Sequence, residues 1–228
     1  MKKVKFSALM ALPAAVGYIL RRLVYLTAVD GKNLIVAGHP ALLALWVLTA
    51  AALALAAFGS LKQKEEALSW SAHAPAFLGH GLLGAAVTMT VLLNVPMPGI
   101  LGTVWKVLGL AGAVCLAAAG FQRMQGKMTF FGLYAVPSLF FTVHVVAHYQ
   151  IWCSNPQFTD YAFGLLASVM LAMNCYHRAA FGADSGSRKV LAFTGLAAVY
   201  LCGAEMAGSL YPWLYLAGAL FCLTDSHT

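Results

Sequence analysis

The sequence predicts an all-α protein, a polytopic bundle of transmembrane helices with seven spans and a short eighth. Three observations carry that expectation. Hydrophobic residues make up 61% of the 228 residues and charged residues only 9%, against about 45–50% and about 25% in soluble domains. The apolar residues come in runs of about 20, the length that crosses a bilayer as a helix. The connections are short: the longest, residues 177–188, is far too small to fold alone. One integral membrane domain is therefore expected over residues 1–228, with no soluble catalytic domain, and more as a non-enzyme than an enzyme.

The first span is expected near residues 6–28, kinked at Pro13, which removes a helical hydrogen bond. Its basic start and apolar run imitate a signal peptide. Arg21 and Arg22 follow, however, and no strong small-residue cleavage site is present, so it reads as a retained helix. The second span runs near 40–61 and the third near 71–94, closed by Asn94 and the turn-forming Pro-Met-Pro-Gly. The fourth, near 100–122, carries small residues at Gly109, Ala113 and Ala117, a spacing that lets helix backbones approach closely. The fifth lies near 129–151 and the sixth near 158–176. A solvated basic turn follows, without the GxxxxGK[ST] order of a phosphate-binding loop. The seventh span is expected near 189–208, and the last apolar run, 211–224, is a short span or a re-entrant segment.

Orientation follows from lysine and arginine, which accumulate on the cytoplasmic side. With the N-terminus in the cytoplasm, that side holds Lys2, Lys3, Lys5, Lys62, Lys64, Arg123, Lys127, Arg178, Arg188 and Lys189. The other side holds Arg21, Arg22, Lys32 and Lys106. The same orientation puts Trp70 at the inner interface and Trp105, Trp152 and Trp213 at the outer one, as anchors. The expected location is the plasma membrane, and the net charge of +7 reflects these loops. No basic run is interleaved with stacking aromatics, which excludes a nucleic-acid partner. The five cysteines are odd in number, no two are close in sequence and four fall inside apolar runs, so they read as packing residues and not as a disulfide or zinc framework.

Ionisable side chains within a span cost several kcal/mol and usually face the bundle interior, so the few present are informative. They are Arg21 and Arg22 in the first helix, His73 and His80 in the third, His144 and His148 in the fifth, and Glu205 in the seventh. At about 1.5 Å per residue, Arg21 and His144 lie roughly 22 Å from the cytoplasmic ends of their helices, Glu205 about 24 Å and His148 about 28 Å. Three helices thus bring ionisable groups to one level in the outer half. His39 and Asp30 are placed to close that site from outside.

Three chemistries fit. Glu205 with Arg21 or Arg22 can be a buried ion pair that only holds the bundle, as in a structural or partner subunit. The cluster of Arg21, Arg22, Glu205, His144 and His148 can bind or transport a small polar or anionic solute, the arginine holding negative charge and Glu205 acting as counter-ion. Alternatively, His144 and His148, one helical turn apart, could ligate zinc with Glu205 and leave a position for water in an intramembrane hydrolase. The Glu of HExxH is missing, since residue 145 is Val. No cofactor is otherwise expected, and haem is disfavoured because His80 and His144 sit at different depths. The small-residue stripe leaves room for a homo-oligomer or a membrane partner besides the lipid.

Two stretches, YLTAVDGKNLIVAGHP at 25–40 and NCYHRAAFGADSGSRK at 174–189, resemble small polytopic membrane proteins of unassigned function predicted in anaerobic Gram-positive bacteria. The resemblance implies an inner-membrane helical bundle and carries over no activity and no functional residue. The haemolysin III and adiponectin-receptor type of hydrolase differs, because its His pair lies in the last helix and this one lies in the fifth.

Overall fold

The computed structural model describes residues 6–30, 34–36, 38–63, 72, 74–93, 99–154 and 157–225. Among them the chain forms eight helices: α1 (Phe6–Thr27), α2 (Pro40–Leu61), α3 (Ala74–Leu93), α4 (Gly99–Met124), α5 (Gly132–Trp152), α6 (Phe158–Phe181), α7 (Arg188–Glu205) and α8 (Pro212–Asp225). The strand-like pairing among these residues is an isolated bridge, Val29 with Ile35. Lys2, Lys3, Lys5, Lys32, Lys64, Trp70, His73, Asn94 and the side chain of Trp152 lie outside the described residues.

Among the described residues, four helices are long and apolar enough to cross a membrane: α1 from Leu9, α2, α3 and α4. The surface agrees with this. Val47 and Val114 are 70% and 71% exposed, and Leu12, Ile19, Leu26 and Ile100 are exposed as well. A soluble monomer rarely shows contiguous apolar surface on this scale. Polar groups are instead buried, Arg21, His80, Arg123, His144, Asn174 and Glu205 among them.

Successive helices alternate in direction, so the bundle has an upper end, where α1, α3, α5 and α7 finish, and a lower end, where they start. Helices α3, α4, α5, α6, α7 and α8 contact one another in that order, and α8 returns to α3. The short α8 thereby closes a ring of six, with α1 and α2 packed outside against α7. Helix α7 is the hub. Every residue from Leu196 to Glu205 is buried, the pattern of a helix enclosed on all sides.

The α1–α7 contact sets the position of the site. A Cβ at Gly203 would stand 2.8 Å from Ala14 Cβ, and one at Gly17 would stand 3.1 Å from the Tyr200 ring. Ala14, Gly17 and Arg21 share one face of α1, at i, i+3 and i+7. Close approach at the first two therefore delivers Arg21 to the end of α7. Tyr200 also shares a 2.7 Å hydrogen bond with Thr49 of α2.

Several expectations change. Helix α6 runs to Phe181, past the expected end at 176, because His-Arg-Ala-Ala-Phe continues the helix until Gly182 caps it. Arg178, expected in a solvated turn, is consequently only 5% exposed, and Arg123 in the last turn of α4 is buried too. Helix α7 stops at Glu205 instead of 208. The Gly208 and Ser209 amides both donate to the Glu205 carbonyl, at 3.1 and 3.0 Å, and Gly208 lies against Tyr25 where a side chain would not fit. In α4 Gly109 and Ala113 do lie at helix contacts, with Val91 and Phe140 around Gly109 and Gly84 against Ala113. Ala117 faces outward, and Gly120 against His80 continues the close approach instead. Trp105 is not an interfacial anchor: it is completely buried, while Trp213 is half-buried and donates to Thr90.

Candidate functional site

Arg21 and Glu205, 184 residues apart, form a buried ion pair through Arg21 Nη1 and Glu205 Oε2. Arg21 Nη2 donates to Tyr25 Oη at 3.2 Å and to the Asp160 carbonyl at 2.9 Å. The guanidinium also lies 4.8 Å from the Phe163 ring centroid. Both amino groups of the fork are thus committed, and the charge is closed in by aromatic faces. Arg22 points outward and is exposed, so it takes no part in the pair.

Glu205 has a second oxygen. Oε2 is taken by Arg21, whereas Oε1 accepts no hydrogen bond among the described residues. It stands over Gly164, where a Cβ would come within 2.9 Å of it. A larger residue at 164 would push the carboxylate away from this position.

Beside the pair lies a cavity of about 270 Å³ at the upper end. Glu205, Asp160 and His148 line it together with the tyrosines 25, 161, 211 and 215. Helices α1, α5, α6, α7 and α8 each contribute. Its rim includes the α7–α8 turn at Ser209 and Leu210.

The His144 and His148 rings pack against each other, tilted by 35°, with centroids 3.9 Å apart. The Trp105 indole N–H donates to His144 Nδ1 at 3.2 Å, so neutral His144 carries its proton on Nε2. That group is fully buried and has no hydrogen-bond acceptor among the described residues. His148 Nδ1 donates to the His144 carbonyl at 3.0 Å, which leaves Nε2 of this ring as an acceptor. His148 therefore borders the cavity and His144 stands behind it, against Trp105. No group of three or more His, Cys, Asp or Glu side chains among the described residues is arranged to hold a metal ion.

His39 and Asp30 act locally and do not line the cavity. His39 caps α2 by accepting from the Ala41 amide at 3.3 Å, and Asp30 accepts from the Leu34 amide at 2.9 Å. The residue that ties this loop down is Gln157, which the sequence reading passed over. Its amide accepts from Ile35 N–H at 2.6 Å and donates to Ile35 C=O at 2.9 Å. A side-chain amide here pairs like a strand, and a lone Gln before a helix gives no sign of that in sequence.

The lower end holds a second polar cluster. His80 Nδ1 donates to the Ala76 carbonyl at 2.6 Å, and Nε2 accepts from Tyr134 Oη at 2.7 Å. Both ring nitrogens are engaged within the bundle. Arg178 donates to Asn174 at 2.9 Å and stacks over Phe221 at 4.9 Å. Asn174 in turn donates to Thr194 and to the Leu191 carbonyl, each at 3.3 Å. Gly79 sits against Phe221 and Thr224, and Gly81 has nothing near it, so the first glycine serves packing.

No known family, curated protein or solved structure matches the chain.

Proposed function

We propose that the chain is an integral plasma-membrane protein of seven spans and a short eighth, with its N-terminus in the cytoplasm, and that its upper cavity binds or transports a small polar solute. The observation that carries this reading is the cavity beside the Arg21–Glu205 pair. A buried ion pair with a purely structural role needs no space next to it. Here one carboxylate oxygen is left over at the wall of a polar chamber, and intramembrane charges on chambers mark ligand sites more often than scaffolds. Arg21 holds Glu205 in place, Glu205 meets the solute, and His148 supplies a polar wall.

The test is thermal stability of the purified protein against four solute classes: amino acids, amines, carboxylates and polyols. Binding to the folded state raises the midpoint. At least one class is expected to do so in the native chain and not in Ser209→Trp, which fills the rim. No shift with any class would reduce the pair to a structural role. Orientation is tested by thiol labelling of intact cells: Cys153, exposed at the upper end, is expected to react from outside. Lys127→Cys at the lower end is expected to react only after permeabilisation, and the reverse pattern would invert the topology.

The hydrolase alternative asks for zinc on His144, His148 and Glu205. Elemental analysis of protein purified without added metal or chelator is its test. Near-stoichiometric zinc lost in both His144→Ala and His148→Ala would favour it.

A further inference from the structure

The geometry points to a small organic cation, an alkylammonium ion, as the solute of the upper cavity; this rests on the solute-binding reading above and narrows it. An anion needs compensating positive charge, and the described lining residues supply none, their side-chain donors being mainly neutral hydroxyls. Arg21 does not line the cavity, and its two amino groups are held by Glu205, Tyr25 and the Asp160 carbonyl. No lysine or arginine is among the described lining residues, and the Nδ1–H of His148 is spent on a backbone carbonyl. An anion would have to displace Glu205 from its arginine, and a buried charge stripped of its partner costs several kcal/mol.

A cation meets the opposite situation. Glu205 is 95% buried by its 5% exposure, and its Oε1 is an acceptor with no donor among the described residues. Asp160 adds a second acidic residue to the lining. Tyr25, Tyr161, Tyr211 and Tyr215 come from three helices and the turn before α8, and a cation is attracted to the faces of such rings. Convergence of several aromatic rings with a carboxylate is how proteins hold alkylammonium groups, because those groups have few or no N–H bonds to offer and are recognised by charge and surface. The volume of about 270 Å³ is just under the usual range for ligand pockets, roughly 300–1,000 Å³, which suits a molecule of a few heavy atoms.

The test uses the full chain in proteoliposomes carrying Ser209→Cys or, as a second rim position, Leu210→Cys. Two methanethiosulfonate reagents are compared, one with an ethylammonium and one with an ethylsulfonate group. Each rate is divided by the rate at native Cys153, read peptide by peptide by mass spectrometry. The cationic reagent is expected to be favoured at the rim about tenfold, the low end of what a charged low-dielectric cleft does to local ion concentration. Tetramethylammonium chloride is expected to protect the rim cysteine, and sodium acetate is not. Tyr211→Leu, which keeps both carboxylates, is expected to weaken that protection about three- to tenfold. A preference for the sulfonate reagent, equal rates, or protection by acetate would overturn the cation assignment while leaving a solute cavity in place. Failure of both reagents at both positions, with Cys153 still reactive, would overturn the solute-binding reading as well.

Discussion

The two ends of the bundle bury polar groups in different ways. At the lower end His80 bonds to Tyr134, Arg178 donates to Asn174 and Asn174 donates to Thr194, and aromatic rings cover the Arg178 guanidinium. At the upper end Arg21 and Glu205 spend full charges on each other, and Glu205 borders open volume. The lower arrangement largely explains itself, because buried polar groups must be satisfied and these bonds do so, although the buried Thr129 Oγ1 has no hydrogen-bond partner among the described residues. The upper one leaves a carboxylate oxygen over. Burial alone therefore does not separate a scaffold from a site; what separates them is whether space and an unused acceptor coincide.

The largest effect that would sharpen this contrast comes from Arg21→Gln. It leaves Glu205 buried without a counter-charge, at a cost of about 3–5 kcal/mol. Folded yield in membranes, read by fluorescence-detected size exclusion, is expected to fall severely. The double variant with Glu205→Gln is expected to recover much of it, and no recovery would break the assignment of these two as a pair. At the lower end Tyr134→Phe removes one neutral hydrogen bond and leaves His80 Nε2 without its donor, which costs about 1–3 kcal/mol. The thermal midpoint in detergent is expected to drop by less than for Arg21→Gln; an equal or larger drop would mean that the lower network is the dominant clamp.

Smaller effects probe the rim. Gln157→Ala should cost about 0.5–1.5 kcal/mol and free the loop around Ile35, seen as faster hydrogen exchange confined to residues 28–36. Protection unchanged there would show that the bridge of Val29 and Ile35 holds without Gln157. Arg22→Gln removes an exposed charge and should change the midpoint by less than about 0.5 kcal/mol. A large loss would contradict the assignment of the pair to Arg21.

Much of this was legible in sequence for one reason: charge inside an apolar run is costly, so each instance stands out. Arg21, Glu205 and the two histidines stand out in that way, and equal rise per residue puts them at one level. The choice between Arg21 and Arg22 was not legible, because it depends on which face of α1 meets Gly203. The lower cluster was hidden for a different cause. Arg123 and Arg178 sit in the last turns of their helices, a few residues before Gly126 and Gly182, and helix ends shift by a residue or two, which is enough to turn a buried arginine into an expected loop residue. The tyrosines of the cavity gave no signal, since tyrosine is ordinary in apolar helices and only the fold gathers these four. Trp105 looked like an interfacial anchor for the same reason, and the fold turned it inward to His144.

The separation of Arg21 from Glu205 also has a consequence for biosynthesis. The arginine is made 184 residues before its partner, which at about 5–20 residues per second is roughly 10–40 s. For that interval α1 carries a cation for which the hub helix does not yet exist. Its long side chain can reach toward the headgroups while it waits. The carboxylate, by contrast, arrives in α7 to a cation already in place. Ribosomes stalled between these two points would hold the chain at its most vulnerable, with an unneutralised arginine in α1 as the mark a membrane-protein quality-control system could read.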